Sequence, residues 1–566
     1  MNRFRSITIK GIYSINAAAL LLGAAYFLSR VLGVIRDRML AGQFGAGREL
    51  DIYYAAFQIP DFMSTLFLLG AGANAIVPIF QEYFSRDANQ ARRLISDTVT
   101  IFLVGSCIVA SIVAVFADVL ARVMVPGFSP EDQVRMVVLV RILLLSPILL
   151  GISSILSSVV QSFHQFFTYA LAPIVYNVGI IIGIVFFLPI FGLKGLAYGV
   201  ILGALFHVGI QWWSIRRVGF QVQLVWPRFT EGVRHIWQIS LPRVFSVSLS
   251  QITVVILVAL GSTLVTGSIT VFQLAQNLYF FPIGIFGASY ATAVFPRLSQ
   301  AYLDRDGAKF FNDLFLSIRS ILFWLIPSAV MGIVLRAHIV RVAFGTGLFS
   351  WEDTRLTAAS FAIFAVIIVG GGLTSLFIKG FYALENTWMP LAINLGTSVL
   401  SITAAFFFTQ WLSSSTTFIR IVTGFLRISD LPHPQVIGLA LGFSVGVLFD
   451  AWFLYVALKR RAERIFKECM NFPVIELLRI VSAALAGGIA AYLVRVSFSH
   501  AVALSTFIRV LCEGAVVGLV GFLVYASLLF IMGNAEVRAL IETFRRRLFT
   551  LRILPANWNG DRPLSP

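Results

Sequence analysis

Apolar residues run along this chain in long stretches separated by short polar breaks, and the two-residue alternation of barrel strands is absent. An apolar run of about 20 residues crosses a bilayer as a helix. The pattern predicts helices over 15–43, 51–82, 95–124, 134–161, 167–189, 193–214, 236–263, 270–297, 312–340, 355–383, 387–411, 435–458, 474–496 and 505–533. The expected fold class is therefore an all-α polytopic membrane protein with about 14 transmembrane helices.

The same pattern repeats. Ala73-Asn74-Ala75-Ile76-Val77-Pro78 matches Ala291-Thr292-Ala293-Val294-Phe295-Pro296 at a shift of 218. Pro173 with Asn177-Val178-Gly179 matches Pro390 with Asn394-Leu395-Gly396 at 217. Gly195-Leu196-Ala197, Gly199 and Gly203 match Gly438-Leu439-Ala440, Gly442 and Gly446 at 243. The growth in shift falls in the Ser/Thr-rich stretch 412–434, which reads as an extracytoplasmic insertion. Two six-helix lobes related by a pseudo-two-fold axis follow, with two extra C-terminal helices. The expected division is an N-terminal lobe with its linker over 1–235, a C-terminal lobe over 236–470, the extra helices over 471–533 and a basic tail over 534–566. Parallel repeats of this kind form transporters whose site lies between the halves.

Composition agrees, because 58% of the 566 residues are hydrophobic and 12% charged. A soluble protein carries about 25% charged residues. The net charge of +17 would suggest nucleic acid on a soluble chain. Here the Lys and Arg gather in alternate loops, chiefly 215–235 and 459–473, so no nucleic-acid partner is expected and both termini are placed in the cytoplasm. The basic N-terminus (Arg3, Arg5, Lys10) resembles a signal peptide. Its apolar stretch continues through Leu32 without a cleavage site, which predicts a retained first helix. Arg545-Arg546-Arg547 in the tail reads as a surface anchor to anionic lipid.

Charge inside a membrane helix is costly and marks a functional path by default. Arg30, Arg36 and Asp37 stand in the first helix, where Arg36 points about 120° away from Arg30 and Asp37 falls near the face of Arg30. Two readings stay open. Guanidinium forks can bind phosphate oxygens bidentately, or Arg30–Asp37 and Arg36–Asp51 can form ion pairs that only hold the fold. Asp61, Gln273, Gln276, Asn277 and Ser64 are further polar candidates; helix-to-helix bonding is the commoner role for such amides. The three cysteines and six histidines show no metal spacing, and no phosphate-binding Gly-Lys-Ser/Thr loop or GxSxG elbow occurs. Neither an enzyme nor a cofactor is expected.

Several of these segments resemble the MurJ/MviN family, the lipid II flippases of the multidrug/oligosaccharidyl-lipid/polysaccharide exporter superfamily. They are Ser29-Arg30-Val31-Leu32-Gly33 through Arg36-Asp37, Phe44-Gly45-Ala46-Gly47, Asp51, Ala56-Phe57-Gln58-Ile59-Pro60, Pro126-Gly127-Phe128, Pro282-Ile283-Gly284, Pro296-Arg297-Leu298-Ser299, Phe344-Gly345-Thr346-Gly347, and Phe381-Tyr382-Ala383-Leu384 to Pro390. The resemblance implies alternating-access export of an undecaprenyl-pyrophosphate-linked disaccharide-pentapeptide across the bacterial inner membrane. It implies substrate-binding roles for Arg30, Arg36, Asp37, Asp51 and Asn277, with Ser64 and Gln276 weaker. It also implies as partners the lipid-linked precursor, membrane lipids and cell-wall synthesis proteins.

The chain departs from that pattern in places. Asp61, Ser64-Thr65 and Leu69-Gly70-Ala71 stand where the family usually has an Asn, an Arg pair and Glu-Gly-Ala, and Asn277 aligns with a cavity Arg. Family members that bind sodium carry carboxylates near Leu257 and Ser398, and Asn394 alone remains of that set, so no metal site is expected. The expected function is lipid II export. The alternatives are a flippase for another lipid-linked glycan or a non-transporting scaffold of wall assembly.

Overall fold

The computed structural model describes residues 15–70, 73–468, 474–501, 507–538 and 541–542. The tail cluster Arg545-Arg546-Arg547 and the basic N-terminus lie outside them. Among the described residues the secondary structure is helical throughout. We number the helices α1 (Ile15–Phe44), α2 (Arg48–Gly70, continued by Ala73–Arg86), α3 (Ala88–Val115), α4 (Pro130–Ser162), α5 (Phe166–Phe191), α6 (Leu193–Arg217), α7 (Glu231–Ser262), α8 (Ser268–Leu303), α9 (Gly307–Val334), α10 (Trp351–Ala383), α11 (Trp388–Ser414), α12 (Val436–Phe466), α13 (Val474–Ala501) and α14 (Phe507–Ile531). Eleven helices among the described residues are long and apolar enough to cross a membrane. The other three predicted segments, α1, α2 and α7, also fold as helices at the expected places.

The repeat in sequence is a repeat in packing. In the first half α5 lies on α6, α6 on α4, α4 on α2 and α3, and α1 against α5. The second half reproduces each pairing: α11 on α12, α12 on α10, α10 on α8 and α9, and α7 against α11. The segment Ala73–Arg86 and the second part of α8 hold equivalent positions, each between the next helix and the one after it. The repeated glycines explain the tightest of these contacts. A Cβ on Gly199 would lie 2.5 Å from Gly183 Cα, and one on Gly442 would lie 2.2 Å from Ala405 Cα. Small residues let backbones approach where lipid gives no hydrophobic drive for helix association.

The insertion differs from expectation in one respect. Within 412–434, Thr416–Leu426 is an amphipathic helix, whose Phe418 ring stacks 3.8 Å from Trp411 while Thr423 and Leu426 are buried. The surrounding stretch is polar, but this segment is apolar, and Phe418, Val422 and Leu426, four apart, give it a face to bury. Helices α13 and α14 pack on α9 outside the repeat, where buried Tyr525 donates to the Phe323 carbonyl at 2.6 Å. The inter-lobe linker runs along α3, held by Ser96, Asp97 and Thr100, which accept from the backbone N–H groups of Gln223, Arg228 and Val225 respectively.

The two lobes fuse broadly at one end, and at the other the first turns of α7 pack on the N-terminal lobe through Val233 and Ile236. One continuous apolar core runs through the C-terminal lobe into the ends of the first six helices around Leu40, Leu50, Val125 and Leu143. A separate core around Ile76, Ile95, Val159 and Ile215 fills the opposite, linker-side end of the N-terminal lobe. Two cores at that end leave a space between the lobes.

Candidate functional site, an inter-lobe cavity beneath a seal

That space is a cavity of about 1230 Å³ lined by α1, α4, α5 and α6 of one lobe and α8 and α10 of the other. Pro282 in α8 has no N–H to continue the helical ladder, and the chain widens into a π-helical turn at Ile283–Gly287, which brings Gly284 to the wall.

Arg30 lines this cavity with an exposed side chain. Its Nε and one terminal nitrogen donate to the Tyr26 hydroxyl at 3.1 and 3.0 Å, and the guanidinium sits 5.2 Å from the Tyr26 ring centre. Among the described residues no carboxylate pairs with it. The ion pairs that sequence left open, Arg30–Asp37 and Arg36–Asp51, are both absent. Asp37 pairs with its neighbour Arg36 instead, at 2.8 Å, and also accepts from Asn277 Nδ2 at 3.1 Å. Arg36 reaches Asn177 Oδ1 at 3.4 Å, and Asn177 donates to Ser29 Oγ at 3.3 Å. Asn277 and Asp37 thus bridge the two lobes across the cavity floor. Arg36 is paired with Asp37 there, while Arg30 has no carboxylate partner among the described residues.

Other candidates stand elsewhere. Asp51 is buried at the far end of the lobes and does not line the cavity. Gln276 is buried with its Nε2 unpartnered, and Ser64 is half-buried, both away from the lining. Asn394 keeps a buried, unpartnered Oδ1. Sequence reading missed Tyr26, Tyr169, His207 and the Ser154, Ser157 and Gln161 stripe of α4, which all line the cavity. The stripe was legible as polar residues three and four apart in an apolar helix.

Asp51 closes the end opposite the cavity. Its carboxylate crosses from α2 to the first turn of α8, accepting from Gly267 N at 2.6 Å, Thr270 N at 2.8 Å and Thr270 Oγ1 at 2.7 Å. A carboxylate on a helix N-terminus meets orphan N–H groups and the positive end of the dipole. Gly267 has φ +91°, and a Cβ there would lie 2.1 Å from the Ala46 carbonyl oxygen, so only glycine brings these loops together. Gly127 N donates to Ser262 Oγ at 3.2 Å, and a Cβ on Gly127 would meet the Ser262 carbonyl oxygen at 2.1 Å. Arg38 completes the seal from α1, donating to the Val342 and Gly345 carbonyls at 2.6 and 3.2 Å beneath the Phe507 ring. A two-lobed helical protein sealed at one end, with a largely apolar cavity holding Arg30, Arg36 and Asp37 at the other, has the form of an alternating-access carrier.

The sequence model of the family described as "Lipid II flippase MurJ" matches residues 40–512. The chain belongs to the MurJ family. It is 27% identical over 540 residues to a probable lipid II flippase MurJ of Rhizobium tropici, covering 93% of this chain and 96% of that one. It is 25% identical to the lipid II flippase MurJ of Burkholderia cenocepacia, over 78% and 84% of the two chains. In fold it is similar to a solved lipid II flippase MurJ in an inward closed conformation, with a TM-score of 0.70, 24% identity and coverage of 92% and 100%. It also resembles an inward-facing multidrug resistance MATE family transporter of the MOP superfamily, with a TM-score of 0.64, 18% identity and coverage of 78% and 96%. Within the MurJ fold, the cavity of this member presents Asn277 and Arg30 on facing walls.

Proposed function

We propose that this chain exports lipid II, a polyprenyl-pyrophosphate-linked peptidoglycan precursor, across the bacterial inner membrane by alternating access. The observation that carries the reading is the Arg30 guanidinium, unpaired with any described carboxylate, in a cavity large enough for a disaccharide headgroup and closed at one end. The linker face is then cytoplasmic, as the loop charges require, both termini lie there, and the Asp51 seal faces outward. Pyrophosphate replaces Tyr26 on the Arg30 fork, and Arg36 joins it as the Asp37 pair loosens. Asn277 offers a neutral donor where the family pattern has a cation, so the headgroup is held more by one wall than by both. Cells depleted of their own lipid II flippase are expected to resume wall synthesis and normal shape when this chain is expressed. Lysis despite membrane-inserted protein would refute lipid II as the cargo and favour another lipid-linked glycan or a scaffold role.

Energy is expected to come from the membrane potential. Leu257 is packed in the core and offers no ligand oxygen from its side chain where sodium-binding relatives carry a carboxylate. Moving an anion outward is downhill by about 2.3 kcal/mol per charge per 100 mV. The empty carrier then resets with Arg30 uncompensated, so the inside-negative potential drives that step too. Flipping in proteoliposomes should rise with a valinomycin-imposed potential and stay constant when the sodium gradient alone is varied. Activity that follows sodium at a clamped potential would overturn this.

A further inference from the structure

A second cavity, of about 400 Å³, lies beside the seal, between the ends of α9, α10 and α13 and the inserted helix Thr416–Leu426. Four arginines from four separate elements line it: Arg336, Arg355, Arg427 and Arg495, with Trp351 and Tyr492. Their bonds fix the guanidiniums without cancelling the charge. Arg336 donates to the Leu426 carbonyl and Arg495 to the Val334 carbonyl, both at 2.8 Å. Arg427 reaches the Tyr492 hydroxyl at 3.5 Å, and Arg495 lies 5.0 Å from the Tyr492 ring centre. Among the described residues only Arg355 has a carboxylate partner, Asp430, with two bonds of 2.5 Å. Glu352, on the first turn of α10, is exposed.

Arg336 lies beyond the last residue of the α9 span. Burial and the neighbouring charges of Arg495 and Arg427 push its pKa below the ordinary arginine value. Like charges gathered in a partly buried pocket repel one another, and an anion relieves that repulsion. Guanidinium forks suit phosphate oxygens, and the exposed Trp351 beside them is a residue type that settles at the headgroup level of a bilayer.

We propose that this pocket binds the phosphate group of a lipid headgroup in the extracytoplasmic leaflet. The leaflet assignment rests on the orientation proposed above; the phosphate chemistry does not. The insertion that breaks the internal repeat supplies Arg427 and Asp430, and α13 outside the repeat supplies Arg495, so the site has no counterpart in the other half. The lipid can be an anionic phospholipid or the exported pyrophosphate carrier, and free phosphate offers the same oxygens.

The test uses the full chain carrying Arg30→Ala and Arg36→Ala, so that neither cavity arginine contributes. Binding is measured by native mass spectrometry and calorimetry with inorganic pyrophosphate in detergent, and with phosphatidylcholine nanodiscs with and without phosphatidylglycerol. Adding Arg336→Gln and Arg495→Gln should weaken binding at least tenfold; Arg427→Gln, on an exposed residue, should weaken it severalfold without risk to folding. Phosphatidylglycerol retained through purification and not displaced by pyrophosphate identifies bulk phospholipid as the source. Displacement of phosphatidylglycerol by pyrophosphate at lower concentration than by inorganic phosphate favours a diphosphate lipid such as the exported carrier, and binding of pyrophosphate without any lipid preference overturns the lipid assignment in favour of a free-anion site. Equal binding by the pocket variants and their parent, or no binding of any probe to the parent, would overturn the site. Flipping by the otherwise unaltered chain is measured separately, so a failure here leaves the transport reading standing, and a failure of transport leaves this site standing.

Discussion

Replacing Arg30 with alanine is expected to lower flipping of a pyrophosphate-linked lipid about 100-fold in proteoliposomes, with protein amount and insertion unchanged. Each charge-assisted hydrogen bond is worth about 1.5–3 kcal/mol, and a bidentate fork makes two. Arg30 has only the Tyr26 hydroxyl to leave behind, so its removal strands no buried charge and the loss reads on the ligand. Arg30→Lys should retain part of the activity, since a point charge replaces a fork. Asn277→Ala should cost less, because its amide donates to Asp37 and touches the substrate as a neutral group at most. Arg36→Ala should be as severe as Arg30→Ala for a different reason. It leaves the Asp37 carboxylate facing an incoming pyrophosphate without its 2.8 Å partner. Adding Asp37→Asn to Arg36→Ala should then recover activity. Wild-type flipping by Arg30→Ala would refute the assigned role, and failure of the double variant to improve on Arg36→Ala would remove the electrostatic explanation.

The second large effect is expected at Asp51. Asp51→Ala removes the acceptor for Gly267 N, Thr270 N and Thr270 Oγ1, leaving donors on the first turn of α8 unmatched. Each stranded buried donor costs about 1–3 kcal/mol, which shifts the ratio of sealed to opened carrier by about 100-fold. Asp51→Asn keeps an oxygen for Thr270 but turns an N–H toward Gly267 N, and about a tenfold shift is expected. The readout is a cysteine placed at Ser157 in the cavity wall, in a chain whose own cysteines are replaced by serine. An impermeant maleimide added from the extracytoplasmic side should label it faster in the Asp51 variants. Unchanged labelling would mean that Gly127, Arg38 and the glycine-lined contacts hold the seal without Asp51.

These expectations also separate two kinds of residue that looked alike in one dimension. Arg30, Arg36, Asp37 and Asp51 all stood out as charges in or beside apolar segments. Three of them line the cavity, and the fourth caps a helix of the opposite lobe. Sequence spacing places side chains on one helix face, but a cap 216 residues away along the chain depends on how two lobes dock.

The helices and their order are legible in one dimension, because a bilayer leaves the backbone few other ways to satisfy its hydrogen bonds. The repeat is legible there too, since Gly199 and Gly203 recur as Gly442 and Gly446 where the same helix pairs must approach closely. Arg30 stands out in the same way, because a guanidinium at that depth is costly anywhere but in a polar space. Tertiary structure alone decided which carboxylate neutralises which arginine. Arg36 and Asp37 are adjacent in sequence and point in different directions around an ideal helix, yet the long Arg36 side chain reaches the carboxylate that Asn277 of the other lobe also holds. It alone decided that Arg336, Arg355, Arg427 and Arg495 share one pocket, since they come from four elements spread over 160 residues and no local period links them. Local periodicity is written by neighbours three and four apart, whereas a charge cluster is written by the packing of whole helices, and only the folded chain carries that information.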